Sequence, residues 1–215
     1  MLNALRESIS FVKPAEPVVF VVDDDASVRE ALTSLIGSAA LKVECFSSAV
    51  EFLHRHPTDN PSCLVLDVRM PGLSGLELQQ QLADREHQVP IIFISAHGDI
   101  PTAVRAMKEG AVEFLPKPFR EEELLDAIRQ ALDRDVVALA ERAEILGLRA
   151  RYARLTARQC QILALIVEGN LNKQIAAQLG LSENTVKVHR HRIMEKMDVG
   201  SVAKLARMMA RLAET

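Results

Sequence analysis

This chain of 215 residues has no tryptophan, one tyrosine and only three cysteines. Cys45, Cys63 and Cys160 are scattered, odd in number and without metal-binding spacing, so we expect reduced thiols. The longest apolar runs are only as long as a strand, which argues against a membrane-spanning helix. The first sixteen residues hold four charges and no continuous apolar stretch, which argues against a signal peptide. We therefore expect a cytoplasmic protein without a membrane partner.

The two ends of the chain differ in charge. A chain of this length can form one large domain or two small ones, each with its own core. Residues 1–150 carry 15 Lys and Arg against 24 Asp and Glu, whereas residues 151–215 carry 11 against 5. This asymmetry predicts two domains with different partners, of which the rear one faces a polyanion.

Strand and helix patterns alternate along the front half. The strand-sized apolar runs lie near 18–22, 42–46, 63–67, 90–94 and 112–116. The helical patterns between them fit 27–38, 47–54, 74–84 and 100–109, and a fifth begins near Glu121. Five such pairs over about a hundred residues predict an α/β fold with a doubly wound, five-stranded parallel sheet covered on both faces.

The fifth helix has no evident end within the front half. Apolar residues step by three and four from Leu125 to Leu146, which predicts a long amphipathic helix joining the two halves. Gly147 is the first residue at which this helix could stop. The apolar stripe could pair with a second copy as a short coiled coil or lie on its own domain, and so few heptads do not decide between them.

From Leu155 onward the pattern is purely helical. Four helices are predicted from residues that begin or end a helix. Helices begin after Thr156, Ser182 and Ser201, and helices end at Gly169 and Gly180. Their predicted ranges are 157–168, 172–179, 183–197 and 202–212. A short second helix, a Gly-Leu-Ser turn and a longer third helix form a helix-turn-helix pattern.

Four predicted strands end on side chains suited to phosphoryl chemistry. The first ends at Asp23 and Asp24, the third at Asp67, the fourth at Ser95 and the fifth at Lys117. Parallel strands place all of these at one sheet edge, where open α/β folds bind ligands. Clustered carboxylates must share protons or a cation, and Mg²⁺ suits oxygen ligands. We predict that Asp67 attacks a phosphoryl donor with Mg²⁺ present, while Lys117 and Ser95 contact the phosphoryl oxygens.

Each of these residues also has an ordinary structural interpretation. Aspartate at a strand end is common as a helix cap, and Asp25 is assigned as such a cap or as a solvated residue. The agreement of four independent strand ends favours a shared site over coincidence. A phosphohydrolase that forms an aspartyl phosphate is an alternative, but position 69 is arginine where that chemistry would need a second acid.

Four front motifs occur at the spacing of a known family: Asp23-Asp24, Leu66-Asp67-Val68-Arg69-Met70-Pro71-Gly72, Ile94-Ser95-Ala96-His97 and Lys117-Pro118-Phe119. They resemble the signature of bacterial two-component receiver domains over roughly residues 18–132. The resemblance implies that Asp67 is the phosphoacceptor and that a sensor histidine kinase is the donor. It also implies that Asp24, Asp67 and the Arg69 backbone carbonyl bind Mg²⁺ directly, and that Asp23 binds it through water.

Further roles follow from the same resemblance. Ser95 and Phe114 are implied as a switch pair, and Arg69 and His97 as residues that tune the lifetime of the phosphoryl group. The Lys117-Pro118 peptide bond is implied to be cis. On its own, an aromatic residue such as Phe114 on a strand is more often part of the core.

The third rear helix has an apolar side and a basic side. On a helical wheel Val186, Ile193 and Met197 form the core stripe, and the opposite face is mostly basic. In a major groove, Val188 would touch a thymine methyl while Lys187 and His191 reach base edges. The residues better placed for phosphates are Asn172, Lys173, Thr185, Arg192 and Lys196. By periodicity alone, a solvated basic face is an equal alternative.

The rear motifs also occur in a known pattern: Leu155-Thr156-Ala157-Arg158, Gly169-Asn170-Leu171-Asn172-Lys173-Gln174-Ile175-Ala176, and Ser182 to His189. They resemble the LuxR-type four-helix DNA-binding domain over about residues 152–212. Departures from the usual pattern are Gln159 for glutamate, Leu171 for serine and Arg192 for asparagine. Receiver, helical linker and LuxR-type domain together resemble the FixJ subgroup of response regulators.

These observations predict a phosphorylation-controlled transcription factor rather than an enzyme, with at most slow self-dephosphorylation. Its expected parts are a leader (1–16), a receiver core (17–120), a fifth helix continuing into a linker (121–150) and an all-α DNA-binding domain (151–215). Its expected partners are a sensor histidine kinase, double-stranded promoter DNA, RNA polymerase and a second copy. A signalling adaptor whose basic helices bind protein is the alternative.

Overall fold

The computed structural model describes residues 16–56, 58–83, 89–96 and 99–213. The chain divides into two compact units between residues 139 and 140. Of the predicted leader, only Glu16 falls within the described residues. No helix in these ranges is both long enough and apolar enough to cross a bilayer.

The first unit alternates strands with helices. Its elements are β1 (Val18–Val22), α1 (Ala26–Ser38), β2 (Lys42–Phe46), α2 (Ala49–Leu53), β3 (Ser62–Asp67), α3 (Gly75–Ala83), β4 (Ile91–Ser95), α4 (Ile100–Lys108), β5 (Glu113–Pro116) and the front part of α5 (Glu121–Ala153). The strands pair in parallel in the order β2-β1-β3-β4-β5. The predicted doubly wound, five-stranded parallel sheet is therefore confirmed.

The three central strands are buried along their whole length, because helices cover both faces of the sheet. One core cluster includes Phe20, Phe52 and Phe93, and the cluster on the other face includes Ile36 and Ile128. This packing holds the strands in a fixed register, and the register in turn positions the residues at the carboxyl edge.

Strand register brings the predicted site residues to neighbouring positions. Val22 of β1 pairs with Leu66 of β3, so the residues that follow them, Asp23 and Asp67, are neighbours. Ser95 of β4 pairs with Pro116 of β5, which precedes Lys117.

The long helix α5 runs through Gly147 and continues to Ala153, so the suggested stop at Gly147 is wrong. One glycine within a helix costs only about 1 kcal/mol relative to alanine, and good helix formers surround it. The Gly147 carbonyl also accepts a hydrogen bond from Arg151 Nε at 3.2 Å. Nearer its start, α5 carries the fully buried Asp135, whose Oδ2 accepts a hydrogen bond from the Ser62 backbone N–H at 2.7 Å.

The described part of the second unit is entirely helical, as predicted. It contains the rear part of α5, α6 (Ala157–Val167), α7 (Asn172–Leu179), α8 (Glu183–Met197) and α9 (Val202–Ala213). Thr156 and Ser182 cap α6 and α8, and Gly180 ends α7 in a left-handed conformation. The core includes the predicted stripe of α8, which is formed by Val186, Ile193 and Met197.

Candidate phosphoryl site and candidate nucleic-acid interface

Lys117 bridges two carboxylates at the carboxyl edge of the sheet. Its Nζ donates to Asp23 Oδ2 at 2.8 Å and to Asp67 Oδ1 at 2.9 Å. The side chains of Asp23 and Asp67 are only 2% and 10% exposed. The Lys117-Pro118 peptide bond is cis, as the resemblance implied. Three of the predicted site residues therefore meet in one cluster, in which the two acids are buried and Lys117 is half-buried.

In both carboxylates, the oxygen that is not bonded to Lys117 accepts a hydrogen bond from a backbone N–H group. Asp25 N–H donates to Asp23 Oδ1 at 2.9 Å, and Arg69 N–H donates to Asp67 Oδ2 at 2.8 Å. Each of the four carboxylate oxygens thus accepts one hydrogen bond. Because a carboxylate oxygen has two lone-pair sites, each retains the capacity to bind a cation or a further donor.

The charges of this cluster depend on one another. Burial raises the pKa of Asp67 above its ordinary value, against the lowering effect of hydrogen bonds from Lys117 and the Arg69 N–H. Burial alone would lower the pKa of Lys117, but its bonds to Asp23 and Asp67 outweigh burial and raise that pKa. The ammonium group therefore stays charged throughout the physiological range.

The two residues of the expected switch pair lie on neighbouring strands. Ser95 is buried at the end of β4, and its backbone carbonyl accepts a hydrogen bond from Lys117 N–H at 2.8 Å. Phe114 on β5 is half-buried, with its ring centroid 6.2 Å from that of Phe93. Arg69 is exposed, and His97 lies outside the described residues.

The expected Mg²⁺ ligands are only partly assembled. Asp24 is exposed, and the described residues hold no group of three Asp, Glu, His or Cys side chains able to bind a metal ion. The donor chemistry nevertheless fits Mg²⁺, which prefers oxygen ligands and keeps several waters. Asp23 and Asp67 offer carboxylate oxygens with spare capacity, and Asp24 directly follows Asp23 in the chain.

Two residues near this cluster were not predicted from the sequence. Arg29 on α1 donates from one guanidinium nitrogen to the backbone carbonyls of Asp23 and Asp24. Gly75, the first residue of α3, donates its N–H to the Val68 carbonyl at 3.0 Å. The position of a glycine at a loop-to-helix junction was the available signal for a close backbone approach.

Replacing Gly75 with alanine is expected to lower the free energy of unfolding by about 2 kcal/mol, because overpacking forces backbone shifts. A β-carbon at this position would overlap the Asp67 carbonyl oxygen and lie 3.2 Å from Leu66 Cγ. The matched control is Gly37→Ala in α1, where no atom beyond the adjacent backbone of its own helix lies within 4 Å of the added carbon. Urea unfolding of both variants checks this. Equal effects of the two substitutions would contradict it.

In the second unit, the polar face of α8 is open to solvent. Lys187, Val188, His191 and Arg192 are exposed, and Val188 is 44% exposed although it is apolar. Thr185 is half-buried, with its hydroxyl 2.8 Å from that of Ser182. Four of these five predicted DNA contacts are therefore exposed on one helix.

The start of α7 lacks a capping oxygen. Leu171 occupies the N-cap position and is 69% exposed, and only Gln174 Oε1 reaches back to accept the Leu171 N–H at 2.7 Å. The first N–H groups of a helix favour anions when no side chain caps them. Asn172, which is half-buried, and Lys173, which is exposed, begin this helix.

Lys196 has partners within its own unit. Its Nζ donates to the Arg154 carbonyl at 2.8 Å and to Gln159 Oε1 at 2.9 Å. The same Gln159 oxygen accepts the Thr156 N–H at 3.0 Å and so completes the capping box of α6. An ammonium has three donors, so one remains for the phosphate contact predicted for Lys196.

Replacing Gln159 with methionine is expected to lower the stability of the second unit by about 2 kcal/mol, because the Thr156 N–H and the Lys196 ammonium both lose their acceptor. Gln159 is 4% exposed, so water does not substitute for the lost oxygen. The matched variant Gln159→Glu keeps the oxygen and should remain as stable as the parent. Hydrogen exchange at the α6 amides checks both. A methionine variant with unchanged exchange would contradict the prediction.

Comparison with known proteins decides the family. Residues 19–129 match the response regulator receiver domain, and residues 153–209 match the bacterial regulatory proteins of the luxR family. This chain belongs to the response regulators. The response regulator protein TmoT from Ectopseudomonas mendocina is 52% identical over 200 residues, which cover 93% of this chain and 91% of TmoT.

Solved structures of response regulators show the same fold. The low-resolution structure of StyR is 53% identical, with a TM-score of 0.81, and the match covers 92% of this chain and all of StyR. Full-length FixJ from B. japonicum is 37% identical, with a TM-score of 0.55, and the match covers 92% of this chain and 98% of FixJ. The predicted FixJ-like response regulator is confirmed, with a receiver domain and a LuxR-type DNA-binding domain that make it a two-component transcriptional regulator.

Proposed function

We propose that Asp67 accepts a phosphoryl group from a sensor histidine kinase and that this modification controls the binding of α8 to promoter DNA. The observation that carries the proposal is the bridge from Lys117 Nζ to Asp23 and Asp67. It holds an acceptor carboxylate and a fixed cation at the sheet edge where open α/β proteins bind ligands. The protein thereby acts as a phosphoacceptor with at most slow self-dephosphorylation, without turnover of a substrate.

The residues of the cluster have separate tasks in the transfer. One Asp67 oxygen attacks phosphorus in line, and the bond from phosphorus to the donor nitrogen breaks as the new oxygen–phosphorus bond forms. The Arg69 N–H orients the carboxylate through the other oxygen. Lys117 and the Ser95 hydroxyl then contact the phosphoryl oxygens.

A bound Mg²⁺ would neutralise the negative charge that gathers on the transferring group. The residues proposed to hold it are Asp24, Asp67 and the Arg69 carbonyl directly, and Asp23 through water. In this proposal Ser95 and Phe114 carry the change to the α4–β5–α5 face, and Arg69 and His97 tune how long the phosphoryl group persists.

The proposed division of labour follows the domain boundaries expected above. The receiver core (17–120) takes up the phosphoryl group, residues 121–150 link it to the rear, and residues 151–215 bind DNA. Two copies would occupy half-sites one helical turn apart, and RNA polymerase is the expected further partner. Lys187, Val188 and His191 read bases, whereas Asn172, Lys173, Thr185, Arg192 and Lys196 contact phosphates.

The test measures phosphorylation and DNA binding on the same preparation of the full chain. Acetyl phosphate with Mg²⁺ should add an acid-labile phosphoryl group, which mass spectrometry after borohydride reduction maps to Asp67. The phosphorylated chain should bind sites selected from genomic fragments more tightly than the unmodified chain. A phosphoryl group at another residue, or DNA binding indifferent to phosphorylation, would overturn the proposal.

Lys187→Ala is expected to lower affinity for the selected site by about 1–3 kcal/mol while affecting unrelated DNA much less, because base contacts discriminate. Lys173→Ala is the matched control, since it removes the same charge at a position expected to contact phosphate. It should weaken binding to all DNA about equally and reduce the slope of log affinity against log salt concentration by about one. Fluorescence anisotropy at several salt concentrations measures both. Indistinguishable effects would contradict the division between base and phosphate contacts.

A further inference from the structure

Arg29 reaches from α1 back to the end of β1. A single nitrogen of its guanidinium, Nη1, donates to the Asp23 carbonyl at 2.7 Å and to the Asp24 carbonyl at 2.9 Å. Arg29 is half-buried, so its side chain has less freedom than that of a fully solvated arginine. The guanidinium thus holds the peptide group that follows Asp23 and the peptide group that follows Asp24.

Those two peptide groups determine where the acids point. Asp23 turns its carboxylate inward to Lys117, and Asp24, the next residue, is exposed. Asp25 completes the segment, because its N–H donates to Asp23 Oδ1 and its own Oδ1 accepts the Ser27 N–H at 2.8 Å. The carboxylates of Asp23 and Asp25 thus hold the segment by accepting backbone N–H groups, and Arg29 holds the Asp24 carbonyl.

We infer that Arg29 is a positioning residue, which holds the backbone of Asp23 and Asp24 so that their carboxylates can bind Mg²⁺ together with Asp67. The inference rests on the proposed function, because it takes this acidic edge to be a magnesium site. Residues behind metal ligands orient them, and their loss commonly weakens metal affinity by about 10–100-fold.

The sign of the effect separates positioning from simple charge. A cation close to a metal site repels Mg²⁺, so removing the Arg29 charge would tighten Mg²⁺ binding if charge alone mattered. If Arg29 positions the acids, removing its donors weakens binding even though a repulsive charge disappears.

The experiment is calorimetric titration of MgCl₂ into the full chain and its variants. Arg29→Met keeps the apolar stem without donors and should weaken Mg²⁺ binding by about tenfold. Arg29→Lys keeps the charge on a shorter, unforked group and should bind more weakly than the parent but more tightly than Arg29→Met. The matched control is Arg129→Met, which loses an arginine whose ion pair with Asp126 is solvent-exposed and should bind Mg²⁺ like the parent.

The outcomes separate this inference from the proposed function. Equal or tighter Mg²⁺ binding by Arg29→Met overturns the inference. If that variant does not unfold cooperatively in urea, Arg29→Lys decides, and a dissociation constant equal to the parent's overturns it. If the parent binds no Mg²⁺, or if Asp23→Asn does not remove the binding that the parent shows, the proposed magnesium site is wrong and the inference is wrong with it.

Discussion

Asp67→Asn is expected to reduce acid-labile phosphoryl incorporation from acetyl phosphate to background. The amide is a poor nucleophile, and the neighbouring Asp23 carboxylate is only 2% exposed and already bonded to Lys117. The control is Asp59→Asn, which changes an exposed aspartate before the start of β3, whereas Asp67 lies at the other end of that strand. Labelling of the variant at the parental level would show that another residue accepts the phosphoryl group.

The same variant should remain folded, which separates lost chemistry from lost structure. Burial raises the pKa of Asp67 above the ordinary value of 3.8. Between the ordinary pKa and the raised pKa of the folded state, the folded protein binds more protons than the unfolded one. This group therefore lowers the free energy of unfolding as pH rises through that window. Asparagine does not ionise, and we expect the variant to lack this decline. Urea unfolding between pH 4 and pH 7 measures the difference.

Lys117→Met is expected to lower the free energy of unfolding at pH 7 by about 3 kcal/mol, as when one partner of a buried ion pair is removed. Asp23 and Asp67 would then face each other without the cation that now bonds to both. The pKa of Asp67, already raised by burial, would rise further without the bond from Lys117, so the variant should recover stability as pH falls from 7 toward 5.

The control for this prediction is Lys117→Arg, which keeps a cation between the two acids. It should retain more stability than Lys117→Met, and its stability should depend less on pH. Hydrogen exchange at the amides of β1 and β3 reports the affected part of the first unit. A methionine variant as stable at pH 7 as at pH 5 would show that Lys117 does not compensate these carboxylates.

The sequence predicted which residues meet at the carboxyl edge of the sheet, because two general rules are sufficient for this. Alternating strand and helix patterns indicate parallel pairing, and parallel pairing places every strand end on one side. Asp23, Asp67 and Lys117 could therefore be brought together without coordinates. The caps Asp25, Thr156 and Ser182 were equally accessible, since capping depends on residues two or three positions away.

Contacts between distant segments could not be predicted in the same way. A helical wheel gives the direction of Lys196 from its own helix, but not that the Arg154 carbonyl and Gln159 lie within its reach. Arg29 was missed because a side chain bonded to backbone carbonyls leaves no pattern in the residue types. The expectation that the helix stops at Gly147 was wrong because the low helix propensity of one glycine decides little where the residues on both sides favour a helix.

The bond between Asp135 and Ser62 provides a natural probe of how firmly α5 holds the sheet. The Ser62 amide proton is directed to a helix side chain, so solvent can take it only when α5 lifts from the beginning of β3. Asp67 stands at the opposite end of that strand. Deuterium uptake at this one amide, followed before and after acetyl phosphate treatment, would therefore show directly whether chemistry at one end of β3 loosens the helix at the other.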